Sequence, residues 1–509
     1  MSSFSIPLTG LEASSEALNT IANNLSNMNT TAFKSQNDTF SDLFYQELGN
    51  TGSGNPLQVG AGVQVESTTT DFTEGSVDTT GNSSDAYLTG NGFFMLQNQG
   101  TTEYTRDGSF TQNSQGFLTS QGGLDVLGFP AVNGVVNTNG VPGPIQLPTA
   151  GQVQPPSATT TMSLTTNLDA SAAVGTSFQG GPVTIFDSLG EAHTMNVDFT
   201  KTGTNTWSYG LSMADPISAD STTTGGTTTS TYTLGAGATL DPSTNLTITG
   251  ATVGPPAGTA TIAAPTVTAG ESMATYAGAL NTALGTAGIT GVTATATGNT
   301  LTITGTNFST SGSVVQDAAA TNATGTLNFD ANGNLTSPAT NVAGIQFSGL
   351  TDGAANLNLT FDVLGANGKP IITQDAGTSA VSSQNQNGFP TGQYQGFAIG
   401  ADGTITATYS NGQTPVIGQL SLANITNPQG LKIAGGNNFE TTQASGAASI
   451  GTAGSDGLGT LQDGALEASN VNISTQFSDL IIAQQSYEAS SKAITTFDTV
   501  SQDTINMIH

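Results

Sequence analysis

The sequence predicts a mainly β protein with helical termini, built as nested domains that each combine an early and a late stretch of chain. Three observations carry this. Apolar residues recur every seven positions near both ends, the middle alternates short β-runs with glycine-rich turns, and charge is sparse throughout. The 509 residues include 65 glycines, one tryptophan, two histidines and no cysteine, and only 8% are charged. Six bases face 35 acids, a net charge of −29. So few bases cannot neutralise a phosphate backbone or dock an anionic bilayer, which argues against nucleic-acid and membrane-surface partners. Without cysteine there is no disulfide framework and no thiolate metal site. No apolar run approaches a membrane span, and residues 1–11 lack the basic start and apolar stretch of a secretory signal peptide. The low charge with abundant Gly, Thr, Ser and Asn suggests extracellular β-structure.

At the N-terminus Leu11, Leu18 and Leu25 form one seven-spaced row, and Ser14, Ile21 and Met28 a second. Together they read as the a and d positions of a short heptad pattern. Thr9-Gly10-Leu11-Glu12 reads as a capping box, and the helix is expected from about Leu8 to Met28. The C-terminus repeats the device. Ile473, Leu480, Tyr487 and Ile494 form one row, and Phe477, Gln484, Ser491, Asp498 and Ile505 a more polar one. Ile481, Phe497, Val500 and Ile508 widen the stripe. A helix from about Asn472 to Met507 would be roughly 50 Å long. The neighbouring chain is β-like, so the natural partners of each helix are the opposite terminus or other copies of the chain.

Between the helices, Tyr87-Leu88-Thr89 leads through Gly90-Asn91-Gly92 to Phe93-Phe94-Met95-Leu96. Asp107-Gly108 reads as a hairpin turn between aromatic strand residues. Val183–Phe186 and Thr194–Val197 form a strand pair across Asp187–Gly190. Residues 215–320 shift to Thr, Ala and Gly and read as an insertion, with one helix over Ser272–Leu284. Asp402-Gly403 and Asn411-Gly412 mark turns in the returning β-pattern. Pairing of the two ends divides the chain as follows. Residues 1–30 and 465–509 form an inner coiled-coil-like helical domain, with 31–75 connecting. Residues 76–155 and 385–464 form an inner β-domain, 156–214 and 321–384 an outer one, and 215–320 the outermost.

These residues carry a family resemblance. Ile21-Ala22-Asn23-Asn24-Leu25-Ser26-Asn27, continuing to Ala32-Phe33-Lys34, resembles the N-terminal signature of bacterial flagellar rod and hook axial proteins. Gly464-Ala465-Leu466-Glu467-Ala468-Ser469-Asn470-Val471-Asn472, followed by Ile481 to Tyr487, resembles the C-terminal signature. Asn91–Phe94 and Tyr104–Phe110 are similar to the family's first β-domain. The stretches 183–209, 327–335 and 402–431 resemble its hook members, while nothing is recognised in about 215–320. Ala32 stands where the family commonly has Gly, so no left-handed backbone is required there. Phe44–Gly62 is longer than in many hook members.

The resemblance implies a structural subunit of a hollow curved tube that joins rod to filament and transmits torque as a universal joint. It implies that the terminal helices line the channel and that the chain polymerises with itself. Rod, hook-cap and hook–filament junction proteins would be partners, and the flagellar type III apparatus would export the chain without cleavage to an extracellular site. The expected subunit-contact residues are Leu11, Leu18, Ile21, Leu25, Met28, Ile473, Phe477, Leu480, Tyr487 and Ile494. A distal rod or hook–filament junction subunit is the alternative. A secreted β-rich adhesin or hydrolase leaves both heptad ends unexplained.

No catalytic constellation, cofactor motif or metal-ligand spacing is legible, and an enzyme is not expected. Asp330-Ala331-Asn332-Gly333-Asn334 lacks the sixth-position glycine and distal glutamate of a calcium loop, and reads as a hairpin turn. His193 reads as a satisfied or exposed strand residue and Trp207 as core. His509 ends the chain, far from His193. Arg106 either anchors a carboxylate across a β-domain or subunit contact, or is a solvated surface charge.

Overall fold

The computed structural model describes residues 5–44, 46–50, 56–217, 220–224, 226–235, 237–242, 244–251, 259–263, 265–268 and 271–507. Ile508, His509 and part of the Phe44–Gly62 stretch lie outside them. The chain is mostly strand, with helices α1 (Ser5–Ser26), α2 (Met273–Thr286) and α3 (Ile473–Met507) among the described residues. None of these is long and apolar enough to cross a membrane. The chain forms two compact units, 1–152 with 393–509 and 153–392.

In the first unit α1 starts earlier than its sequence signal. Pro7 sits in the first turn, where its missing N–H costs no helical hydrogen bond. Thr9 is therefore inside the helix and not its cap. Its hydroxyl donates to Ile6 O at 2.8 Å and accepts from Val63 N at 3.3 Å. α3 begins where Asn472 Oδ1 accepts from Ser474 N and Thr475 N, an Asx cap.

Early and late strands interleave in this unit. Asp125–Val132 pairs with Val416–Asn424, Thr101–Thr105 with Asn438–Glu440, and Ala86–Thr89 with Thr460–Asp463. Strand Phe93–Asn98 is buried on both faces, so its alternation feeds two cores. Phe94 and Leu96 join Phe110, Leu118 and Leu422, while Phe93 and Met95 join Tyr104 and Phe439. The Asp107-Gly108 hairpin does not form. Thr101–Thr105 pairs with Phe93–Asn98, whereas Phe110–Gln112 pairs with Leu118–Ser120. Gly108 lies so close to Ala86 that a Cβ there would collide with the Ala86 carbonyl. The glycine serves this backbone contact instead of a two-residue turn.

In the second unit, one sheet runs Ser177–Phe186, Ala192–Gly203, Thr206–Ile217, Val314–Asp317. Its first two strands pair across Asp187–Gly190, as the sequence predicts. A second sheet contains Val342–Ser348, Leu357–Asp362 and Thr161–Asn167. Residues from both sheets share one core, including Met195, Phe199, Trp207, Phe347 and Phe361. Trp207 is fully buried and its Nε1 donates to Gln374 Oε1 at 3.0 Å. Along Ala192–Gly203 the inward positions are His193, Met195, Val197, Phe199 and Lys201. The two ionisable residues thus occupy the ends of an apolar row.

The segment after Ile217 has its own core around Leu240, Ile248, Tyr276, Leu280, Leu301 and Ile303. α2 follows an N-cap at Ser272, whose hydroxyl accepts from Thr275 N at 3.2 Å. It packs with strands Val292–Thr297 and Thr300–Thr306. The register places Thr222, Thr229, Thr304 and Thr293 in one row across four strands, with Thr231, Thr302 and Thr295 in the next. Alternation therefore explains the low complexity: one face is core, the other threonine.

Candidate functional site

The terminal signatures meet in the first unit. α1 packs on α3 through small and polar residues. The buried residues are Ala13, Thr20, Ile21 and Asn24 of α1 and Gln476 and Ala483 of α3. A Cβ on Gly10 would stand 3.1 Å from Ser490 Oγ. Gln476, Ala483 and Ser490 are seven apart, so a heptad seam does exist. Most of its buried positions lie outside the rows that the leucines and isoleucines mark. Of the expected rows, Ile21 is buried and Leu11, Leu18, Leu25, Leu480 and Ile494 are half-buried. Met28, Ile473, Phe477 and Tyr487 are exposed, as are Ile481, Ile482, Phe497, Val500 and Ile505. Small residues let the two backbones approach closely, which a seam of Ile and Phe would prevent. The large side chains are left on the outer faces.

A polar clasp closes the seam. Asn24 Nδ2 donates to Gln476 Oε1 at 3.1 Å and to Gln36 O at 2.8 Å, while Asn24 Oδ1 accepts from Gln36 N at 2.9 Å. An open groove of about 480 Å³ runs beside it, lined by residues such as Ala17, Ile21, Phe40, Val63 and Ile482.

Below the helices lies a buried ionic knot. Lys34 Nζ donates to Glu467 Oε1 at 2.6 Å and to Thr73 O at 2.7 Å. Arg106 Nε donates to Glu467 Oε2 at 3.1 Å, and Gly75 N to Glu467 Oε1 at 2.9 Å. The rest of the Arg106 guanidinium donates to Gly90 O, Gly92 O and Leu88 O at 2.7, 2.8 and 3.2 Å. Glu74 adds a charge 3.7 Å from the same guanidinium. Burial is the main influence on the Lys34 ammonium and lowers its pKa, against the pull of Glu467. Such a knot is tolerable only because nearly every donor has an acceptor. Asn470 reinforces it, accepting from Ser35 N at 2.8 Å and donating to Asp71 O at 2.8 Å.

The sequence left Arg106 between two readings, and the structure selects the buried carboxylate anchor. Glu467 was not singled out. Its signal was chemical: two of the six bases lie in recognised motifs and need a counter-ion, and Glu467 is the acid of the C-terminal signature. Ala32 corrects a further expectation. Its φ is +55°, so the left-handed backbone is present without glycine, and its N–H donates to Glu467 O at 2.7 Å.

A second buried cluster lies in the other unit. His193 Nε2 is 3.1 Å from Asp187 Oδ2, and Nδ1 is 3.4 Å from Asp215 Oδ1. Burial disfavours the charged ring, but the flanking carboxylates outweigh it and raise the pKa to about 9. Burial likewise opposes ionisation of Asp187, yet hydrogen bonds from Asp352, His193 and the amides of Glu191 and Leu189 hold it down at about 2. Asp330 forms the expected turn, its Oδ1 accepting from Asn332 N and Asn334 N, both at 2.8 Å.

Four family models match. "Flagella basal body rod protein" matches 7–34 and "Flagellar hook protein FlgE/F/G D1 domain" matches 87–167. "Flagellar basal body protein FlaE D2 domain" matches 176–311 and 292–389, and "Flagellar basal body rod FlgEFG protein C-terminal" matches 462–507. The flagellar hook protein FlgE of Salmonella typhimurium is 30% identical over 99% of this chain and 100% of its own length. That of Escherichia coli is 29% identical over 99% of both. The Helicobacter pylori flagellar hook protein FlgE2 structure has a TM-score of 0.38 at 12% identity, covering 77% of this chain and 100% of its own. The full-length matches include residues 215–320, where the sequence alone offered no resemblance.

Proposed function

The chain belongs to the flagellar hook protein family, and from that premise we propose that it polymerises into the curved, hollow tube that couples rod to filament and transmits torque while bending. It is a structural subunit of the hook, located in the flagellum. The observation that supports the mode of assembly is the outer face of α3. Phe477, Ile481 and Ile482 are each more than half exposed, although an apolar stripe this long is normally covered. Neighbouring copies of the chain cover it in this reading, with Leu11, Leu18, Leu25 and Met28 of α1 and Ile473, Leu480, Tyr487 and Ile494 of α3 completing the contact faces. The small-residue seam holds α1 to α3 within a subunit, and the large residues hold subunits together.

The weakly charged β-surfaces slide past those of neighbouring copies with little desolvation. Rod, hook-cap and junction proteins contact the tube's ends, and the flagellar type III apparatus exports the chain uncleaved. No catalytic role belongs to this reading. Phe477→Ser with Ile481→Ser tests it, since both side chains are exposed and the monomer should fold unchanged. Electron microscopy of the purified chain should show curved tubes for the parent and none for the double variant. Normal tubes from the variant would sink the assignment of this face.

A further inference from the structure

Four ionisable side chains converge at one end of the inward-facing row of strand Ala192–Gly203. His193 and Asp215 come from neighbouring strands, Asp187 from the hairpin between the first two strands, and Asp352 from the turn after Val342–Ser348. Asp187, His193 and Asp215 are at least nine-tenths buried, while Asp352 is open to solvent. One ligand atom each from Asp187, His193 and Asp352 lie within 4.8 Å of one another. We propose that these three side chains bind a divalent first-row transition-metal ion of the Zn²⁺ type, with Asp215 positioning the imidazole from behind.

Geometry supports this first. Ligands about 2.0–2.2 Å from a tetrahedral Zn²⁺ stand roughly 3–3.6 Å apart. His193 Nε2 and Asp187 Oδ2 are already 3.1 Å apart. Asp352, on an exposed turn, needs only a small inward movement to complete the set. The surrounding groups support it next. A metal-bound histidine ordinarily donates its other N–H to a carboxylate, which fixes the ring. Asp215 Oδ1 stands 3.4 Å from His193 Nδ1, a buried nitrogen that otherwise lacks a well-formed hydrogen bond. Asp215 is itself held, its Oδ2 accepting from Gln316 Nε2 and Thr351 N, both at 2.9 Å. Asp187 is held the same way, its Oδ1 accepting from Leu189 N at 2.8 Å and Glu191 N at 3.0 Å, so that Oδ2, paired with His193 Nε2 at 3.1 Å, is the oxygen that exchanges the shared proton for the ion.

Charge is the third support. The carboxyls of Asp187, Asp215 and Asp352 outnumber the single imidazole, with the first two out of water, and a divalent cation in place of the protons they hold offsets the excess. The nitrogen ligand favours the zinc class over calcium or magnesium, which prefer all-oxygen shells. The solvent-facing side at Asp352 provides entry and room for water in the remaining positions. The bound ion would tie the early hairpin to the late turn and so stabilise the unit by mass action.

The test uses the full chain carrying His509→Ala, which leaves His193 as the sole histidine. Calorimetric titration with ZnCl₂ should show a single site, and Co²⁺ should give a visible band of mixed nitrogen–oxygen coordination. Asp352→Asn, an exposed change that keeps an oxygen to accept from Ala354 N, should weaken binding at least ~10-fold while leaving the metal-free unfolding temperature close to that of the parent. His193→Gln should abolish the Co²⁺ band, and Asp330→Asn should change nothing. Added Zn²⁺ should raise the unfolding temperature of the parent but not that of Asp352→Asn. The proposal is overturned if the parent binds no Zn²⁺ in large molar excess, or if Asp352→Asn binds as tightly as the parent.

Discussion

The two buried charge clusters solve the same problem differently. The knot of the first unit sets Lys34 and Arg106 against Glu467 and the partly exposed Glu74, so its charges balance. The cluster of the second unit sets one imidazole against Asp187, Asp215 and Asp352, so acid is in excess. Desolvated charge is held only where partners saturate it. In the first unit the partners are opposite charges and backbone carbonyls. In the second they are amides, a proton and, in the reading above, a metal ion. The knot thus resembles a permanent fastening, while the other cluster responds to what the surroundings supply.

The most severe test of the comparison is Glu467→Ala. It strands two buried cations, and should cost about 3–5 kcal/mol in the first unit. Denaturant unfolding should show that unit melting early, and a loss under 1 kcal/mol would contradict the fastening role. Next in size, His193→Gln removes the cation from the acid-rich cluster but keeps one donor. We expect about 2–3 kcal/mol of destabilisation, confined to the second unit and read by the fluorescence of Trp207.

A third test concerns another acid surplus in the second unit. Burial, then the neighbouring Asp241 carboxyl, pushes Asp317 up to about 7. A group raised in the folded state contributes its stability fully below its unfolded pKa and loses it as pH climbs through the folded one. The second unit should therefore weaken as pH rises from the ordinary carboxylate range to about 7. Asp317→Asn should flatten that slope and gain about 1 kcal/mol above pH 7, a figure reduced for partial exposure. The smallest effect belongs to the first unit. Ala32→Gly relieves a left-handed Ala and should stabilise by about 0.5–1 kcal/mol. Equal or lower stability would show that the chain ordering lost to glycine outweighs the strain.

Much of the architecture was legible because it rests on local signals. Ser272 announces α2, which runs Met273–Thr286 against an expected Ser272–Leu284. Asp187–Gly190 announces a hairpin that forms. Signals failed where a distant contact overrode a local preference. Thr9 looked like a cap but lies inside α1, because the helix extends back to Ser5 through Pro7. Asp107-Gly108 looked like a hairpin, but its flanking strands join different neighbours. The heptad rows left open which face each terminal helix turns to the other. Periodicity reports which residues share a face, not which face a given partner takes.

The sequence by itself determined the helical ends, the β-rich middle, the family and the scarcity of charge, since each is written in composition, spacing or a contiguous motif. Only the tertiary structure decided that Asn24 would meet Gln476 while Phe477 stayed outside, that Glu467 would answer both Lys34 and Arg106, and that Asp352 would reach His193. Those choices join residues up to hundreds of positions apart. Close backbone approach and the saturation of buried charge set them, and neither leaves a mark at short range in the chain.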